Sequence, residues 1–331
     1  MDSNIKIVFL FSGQGSQYRG MGQKLFDHNA IFKNSIEQSD EIVRRHLRRS
    51  LIDELYGIKQ AAFDDLLITH PAIVALEIAI YAVMQEMGVQ PDYVAGNSLG
   101  EFAAGVVSGV WSAETAIETA IEQAKSIARN DTAGGMIAVM NRKTPYIEHL
   151  YHKHTLFLAS DNFAGHFTLA GSIHDLNAFQ SELEQLGVDF LRLPVNHPFH
   201  SPLIEKGRSG FTDYTAAMPP LSDPTPGFVS GIQCEELATL PENYFWEVVS
   251  NYTDFPKMVK YIENKGICLY LDLGPSGTCA SFVKYNLSPS SASLILPIMT
   301  PFKRELEQLE KMRKILDRQN NWMQDTKKTT I

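Results

Sequence analysis

Short apolar runs, each stopped by a glycine-bearing turn, alternate along this chain with longer stretches of helical period. Ile7-Val-Phe-Leu-Phe11 ends at Ser12-Gly13, Tyr93-Val-Ala-Gly96 breaks into Asn97-Ser98-Leu99-Gly100, and Ile267-Cys-Leu-Tyr-Leu-Asp-Leu273 stops at Gly274-Pro-Ser-Gly277. Runs that are apolar at every position read as strands buried on both faces. Between them, Pro71 to Met87 places Ile73, Leu76, Ile80 and Val83 on one stripe, and Ala113 to Arg129 does the same with Ile117, Ile121, Ala124 and Ala128. The helical period of Phe32 to Arg49 is poorer. Strands alternating with helices predict an α/β core whose sheet is mostly parallel and covered on both faces.

The middle of the chain has another rhythm. Met136 to Met140 reads as a strand, Thr144 to Lys153 as a helix, Leu156 to Ser160 and His166 to Ser172 as two strands, Leu176 to Leu186 as a helix, and Val188 to Val195 as a strand. The order β-α-β-β-α-β is that of a ferredoxin-like unit. The predicted organisation is a discontinuous core, residues 1–131 and 199–300, with a ferredoxin-like insert at 132–198. From Phe302 on, Leu306, Leu309, Met312 and Leu316 recur at helical spacing, so 301–331 reads as a surface helix and a polar tail.

Bulk properties remove several function classes. The net charge of -9 over 331 residues opposes nucleic-acid binding. Arg44-Arg45-His46-Leu47-Arg48-Arg49 is a local exception, either a solvated helix face or a patch for an acidic partner. Three cysteines at no metal-ligand spacing, and an N-terminal apolar run too short for a signal segment or membrane span, lead us to expect a monomeric cytoplasmic protein off the membrane. No metal or cofactor is expected. His149, His152 and His154 lack the partners a metal site needs. Gly13-Gln14-Gly15 fails the dinucleotide fingerprint, because Tyr18 stands where the third glycine belongs.

Candidate chemistry centres on Gly96-Asn97-Ser98-Leu99-Gly100. A G-x-S-x-G sequence between a buried strand and a helix lifts a serine hydroxyl clear of the sheet, and the helix start offers backbone N–H groups to a developing oxyanion. The Gly13-Gln14-Gly15 loop can aim a further amide at the same cleft. A nucleophilic serine needs a base. Among ten histidines, His197 and His200 stand where the insert returns to the core, a preferred place for a cleft. The residues alone leave open whether His200 is that base.

Phe11-Ser-Gly-Gln-Gly-Ser-Gln17, Gly96-Asn-Ser-Leu-Gly-Glu101, Asn162, Pro198-Phe-His200 and Leu273-Gly-Pro-Ser-Gly277 together resemble the malonyl-CoA:ACP transacylase-like acyltransferase family of fatty-acid and polyketide synthesis. The resemblance implies a hydrolase-like α/β core with a ferredoxin-like insert. It also implies Ser98 as nucleophile, His200 as base, and the amides of Gln14 and Leu99 as the oxyanion hole. A backbone carbonyl at the position matching Asp254 would orient His200, with the Asp254 carboxylate as a possible addition. Asn162, Phe199 and His197 would join the substrate site.

Departures from the family pattern bear on the substrate. An arginine that forks onto a malonyl carboxylate is expected 25 residues after the nucleophile, where this chain has Gln123. Glutamine cannot make that ion pair, and losing one costs on the order of 2–5 kcal/mol. Gln123 sits near the edge of the buried stripe, so its side chain is expected to face the cleft; Lys125 and Arg129 are the neighbouring cations. Asn97 stands where a histidine is usual, and His70 where glutamine is usual. This pattern is similar to the free-standing acyl-hydrolase branch of trans-acyltransferase polyketide pathways. The resemblance therefore implies an editing hydrolase that clears short, uncharged acyl groups from phosphopantetheine-bearing acyl carrier protein. The alternatives are a transferase loading acetyl or malonyl groups from acyl-CoA, or a non-catalytic docking protein.

Overall fold

The computed structural model describes residues 5–58, 62–130, 133–225 and 227–328, with side chains described up to residue 317. Two sheets organise it. The first contains Lys6–Phe11 (β1), Tyr93–Gly96 (β2), Phe228–Val229 (β7), Cys268–Asp272 (β9) and Leu294–Pro297 (β10). Its order is β10-β9-β1-β2-β7, and every pairing is parallel. Residues 8–11 of β1 are buried without alternation, as a central strand covered on both faces requires.

The second sheet holds Gly135–Val139 (β3), Phe157–Phe163 (β4), His166–Gly171 (β5), Phe190–Arg192 (β6) and Thr253–Asp254 (β8), in the order β6-β3-β5-β4-β8. The pairs β3·β5, β3·β6 and β4·β5 are antiparallel. Helices Pro145–Lys153 and Ile173–Leu186 complete the β-α-β-β-α-β order read from the sequence. One pairing was not foreseen: β8, from the far part of the chain, adds in parallel to β4, Ser160 opposite Thr253 and Asp161 opposite Asp254. The expected boundary between residues 131 and 132 lies outside the described residues.

Several elements differ from their sequence reading. The helix placed at Pro71 starts at Leu66 and runs to Glu86, with Pro71 inside it. Pro71 has no N–H to give the carbonyl four residues earlier, which hid the first turn from a reading that lets proline open helices. The helix is long and apolar enough to cross a membrane, with an 18-residue stretch of mean hydropathy 1.9, but 83% of that stretch is buried within the protein. Phe32 to Arg49 forms a firm helix, Ala30–Leu47, burying Phe32, Ile36, Ile42 and Val43. At and just past its end, Arg44 pairs with Asp40, Arg45 with Glu114 and Glu118, and Arg49 with Glu54 and Asp65. These ion pairs favour a solvated face over a docking patch. Ala128 is exposed instead of buried, since the helix Ala113–Arg129 turns its face Ala116-Ala120-Gln123-Ile127 inward.

Candidate active site

β2 ends at Gly96, and the chain turns at once into the helix Gly100–Val107. Ser98 sits at the turn with φ of 56°, in the left-handed region that a strained nucleophile elbow imposes on its serine. The turn closes against β1, since Asn97 N–H donates to the carbonyl of Phe11 over 2.8 Å. Gly100 is required by that closeness: a Cβ there would lie 2.3 Å from the Phe11 carbonyl oxygen.

The loop after β1 packs on the same turn. A Cβ on Gly13 would lie 3.0 Å from Ser98 Cβ and 3.3 Å from Leu99 N. The backbone of Gln14 is thereby brought beside the start of the helix that follows Ser98. Buried Glu77 holds this loop, accepting from Ser12 N–H over 2.6 Å. Burial pushes its carboxyl pKa well above the usual range, against the pull of the Ser12 N–H.

His200 enters from the other side, just after the insert. It also has positive φ, 57°, and its backbone N–H donates to Val249 O over 2.9 Å. Its Nδ1 donates to a backbone carbonyl over 2.7 Å, which fixes the tautomer and leaves Nε2 as the basic nitrogen. That carbonyl belongs to Asn251, not to Asp254. Asp254 instead pairs in β8, and its carboxylate caps the helix Phe255–Glu263 by accepting from Lys257 N–H over 3.0 Å. The strand turns into helix there, so residue 254 is spent on the cap and the chain three residues earlier faces the imidazole. Burial lowers the His200 pKa to about 4, against the opposing pull of the Asn251 carbonyl.

Ser98 and His200 open onto one cavity of about 240 Å³ between the two sheets. Gln14, Asn97, Asn162 and Phe199 line it as expected. So do Ser160, His166, Thr168, Leu191, Thr253 and Phe282, which the sequence reading missed. Ser160, Asp161 and Asn162 are polar in succession, so no alternation in this strand marked which of them face the cavity. Asn162 Nδ2 donates to Thr168 Oγ1 over 3.2 Å and lies 2.9 Å from His166 Nδ1. No lysine, arginine, aspartate or glutamate lines the cavity among the described residues.

Leu99, expected to supply only a backbone amide, buries its side chain. Three residues expected to meet substrate through their side chains do not line the cavity. His197 packs edge-on against Phe199, 6.1 Å between ring centres. His70 stacks on Phe199 at 5.7 Å, and of the two only Phe199 lines the cavity. Gln123 does not face the cleft: it is fully buried and its Nε2 donates to the Phe245 carbonyl over 2.6 Å. Position 123 follows Ala120 by three residues and precedes Ile127 by four, which places it within the buried stripe instead of at its edge. Lys125 does not substitute as a cation, being paired with Glu122 at 2.7 Å. A larger cavity of about 360 Å³, lined by Trp111, Phe211 and Phe245 among others, touches neither Ser98 nor His200.

The acyl transferase domain family matches residues 8–261. The chain is 36% identical over 309 residues to the polyketide biosynthesis acyltransferase homolog PksD of Bacillus subtilis, covering 92% of this chain and 95% of that one. It is 34% identical to the polyketide biosynthesis acyltransferase homolog BaeD of Bacillus velezensis, covering 93% and 96%. Among solved structures, the acyltransferase domain from the second module of the salinomycin polyketide synthase superposes with a TM-score of 0.82 at 26% identity, over 93% of this chain and 72% of that one. The malonyl CoA-acyl carrier protein transacylase from Clostridium perfringens superposes with a TM-score of 0.80 at 22% identity, over 96% and 99%. That likeness is one of fold.

Proposed function

Because this chain belongs to the acyl transferase domain family, a family of serine acyltransferases, we propose that it is an acyl hydrolase of polyketide biosynthesis. In this reading it removes short, uncharged acyl groups from acyl carrier protein thioesters. The observation that carries the reading is the cavity itself: Ser98 and His200 share it with amides, hydroxyls and apolar side chains, and, among the described residues, with no lysine or arginine to receive an acid tail. The similarity to the PksD and BaeD homologues supports the polyketide setting.

The proposed chemistry uses groups already placed. Ser98 Oγ attacks the thioester carbonyl while His200 Nε2 takes its proton, and the amides of Gln14 and Leu99 receive the oxyanion. Collapse breaks the C–S bond, and His200 passes the proton to the departing pantetheine sulfur. Water then attacks the acyl ester, giving its proton to His200, which returns it to Ser98 as the acid leaves. Ser160, Asn162 and Thr168 offer such a water hydrogen-bonding partners in the cavity wall. Carrier protein with its phosphopantetheine arm is the proposed donor, and acyl-CoA a second one.

The test is mass spectrometry of acetyl- and malonyl-carrier protein incubated with the enzyme. Free acetate, little malonate, and no turnover by Ser98→Ala are expected. An acyl-enzyme that passes its group only to a second carrier or thiol, never to water, would establish the transferase alternative instead.

A further inference from the structure

We propose that Ser16 is a positioning residue, one that aims the Gln14 N–H at the oxyanion by gripping the other end of the same peptide group. The proposal rests on the reading of Ser98 as nucleophile and of the Gln14 amide as oxyanion donor given above. The Gly13–Gln14 peptide unit carries the Gly13 carbonyl and the Gln14 N–H, and a planar trans peptide points them in opposite directions. Ser16 Oγ donates to that carbonyl over 2.7 Å, and Ser16 N–H reaches the same oxygen over 3.3 Å. The N–H contact closes a β-turn from Gly13 to Ser16. Gly15, at its third position, has φ of 99°, as a type II turn requires. At 3.3 Å the turn bond alone is long, and the hydroxyl supplies the shorter grip. With its carbonyl drawn into the turn, the peptide sends the Gln14 N–H outward. Gln14 and Ser98 line the same cavity, and Gly13 packs directly on the serine turn.

The Ser16 hydroxyl is itself placed by a buried relay. Ser12 Oγ donates to Ser16 Oγ over 3.0 Å, which leaves the Ser16 hydrogen for the Gly13 carbonyl. A hydroxyl has one hydrogen, and of the two acceptors beside Ser12 Oγ the Glu77 carboxyl is the farther, at 3.3 Å. Glu77 grips the Ser12 backbone instead, accepting its N–H over 2.6 Å. Ser12 Oγ also packs against Gly274, where a Cβ would lie 2.1 Å from it. Ser12, Ser16 and Glu77 are all buried. Glu77 belongs to the helix Leu66–Glu86, whose buried positions are mostly apolar, and a carboxyl there costs more to bury than a leucine or methionine. What the carboxyl adds is a fixed point for the loop. Order passes from Glu77 to Ser12, from Ser12 to Ser16, and from Ser16 through the planar peptide to the Gln14 N–H.

The test compares Ser16→Ala, Ser16→Thr and Ser12→Ala with the parent enzyme on acetyl-carrier protein, with thermal melting as the check on folding. Steady-state release gives kcat and KM, and mass spectrometry follows the acylation of Ser98. Losing an oxyanion donor outright costs about a hundredfold or more in kcat, so a misaimed donor should cost part of that. Ser16→Ala should lower both kcat and the acylation rate about tenfold or more, with KM within about twofold of the parent. The acid limb of its pH profile should stay where the parent has it, because His200 is untouched. Ser16→Thr keeps the hydroxyl and should recover kcat to within about threefold of the parent. Ser12→Ala leaves the Ser16 hydroxyl in place but unoriented, and should cost about three- to tenfold in kcat at unchanged KM. Parent-like kcat in Ser16→Ala, or equal losses in Ser16→Ala and Ser16→Thr when both melt like the parent, would overturn the proposal. Should either Ser16 variant melt early, Ser12→Ala decides it, and a parent-like kcat there counts against the relay. Failure of the underlying reading shows elsewhere. Acylation of Ser98→Ala would remove the nucleophile, whereas acyl release to a thiol instead of water would leave the Ser16 effect on acylation intact.

Discussion

His200 Nδ1 donates a hydrogen bond to the carbonyl of Asn251 over 2.7 Å, and the residue lines a cavity shared with Ser98. A carbonyl orients an imidazole as an aspartate would but adds no full negative charge, so nothing raises the imidazole's pKa enough to offset burial. The pKa falls to about 4.

In the proposed mechanism His200 must be neutral to act as base, and a lowered pKa extends the neutral range toward acid. We expect kcat/KM for an uncharged thioester to be level from about pH 5 to pH 8 and to fall by half near pH 4, where His200 takes up its proton. An exposed imidazole would place that limb near pH 6.5. Rates of acetyl-pantetheine hydrolysis between pH 3.5 and 8.5, each after a brief pH jump, locate it.

Glu101, the residue after the G-x-S-x-G turn, is fully buried, accepting from Gly231 N–H and facing the Tyr244 hydroxyl at 3.0 Å. Burial raises its pKa from 4.5 to about 8. The folded state therefore holds a proton that the unfolded chain gives up. Its contribution is complete below about pH 4.5 and is lost as pH rises through about 8. Glu101→Gln mimics the protonated acid and does not titrate. Relative to the parent, it should gain stability on the order of a few kcal/mol between pH 5 and pH 8.5, measured by denaturant unfolding at both values. A constant difference would mean that Glu101 is ionised in the fold.

The two-sheet plan and the serine turn were legible because each is a local pattern. A uniformly apolar run ending in Gly-x-Ser-x-Gly has few other uses, and the β-α-β-β-α-β succession of elements marked the insert. What the sequence hid depends on tertiary placement. Strands as short as Phe228–Val229 and Thr253–Asp254 carry no period at all. The partner of His200 is a backbone carbonyl, which any residue type supplies, so nothing marks Asn251. Gln123 was misplaced because helical period tells which face a residue takes, not whether that face meets a cavity or a packed neighbour such as Phe245.

Gly13 separates the first loop from the serine turn. A methyl group there would lie 2.7 Å from the Asn97 carbonyl oxygen and 3.0 Å from Ser98 Cβ, and the former is backbone that cannot swing away. Overpacking of this kind costs about 1–3 kcal/mol, and here the strain bears on the amides meant for the oxyanion. Gly13→Ala should slow fluorophosphonate labelling of Ser98 about a hundredfold, comparable to losing one oxyanion donor, while the melting temperature falls by only a few degrees. Equal labelling rates would show that the loop yields and that Gln14 is not held by its contact with the turn.

One wall of the cavity is tied to the core by contacts that involve neither Ser98 nor His200. Asn286 Nδ2 donates to the Asn162 carbonyl over 2.7 Å, and the Tyr285 ring stacks on Phe163 at 4.5 Å. Both contacts run from the helix Thr278–Asn286, in the layer on the parallel sheet, to the β4–β5 hairpin of the second sheet. A hydrogen bond and an aromatic pair contribute about 0.5–1.5 kcal/mol each, modest against the whole fold but concentrated on one hairpin. Because Asn162 and His166 of that hairpin line the cavity while Ser98 belongs to the core turn, removing both contacts should loosen the wall without disturbing the nucleophile. Tyr285→Ala combined with Asn286→Ala should raise KM for acetyl-pantetheine about five- to tenfold and leave the rate of Ser98 labelling by a small fluorophosphonate within twofold. If labelling slows as much as KM rises, these two residues support the core and its serine turn, and the hairpin is held by its own sheet.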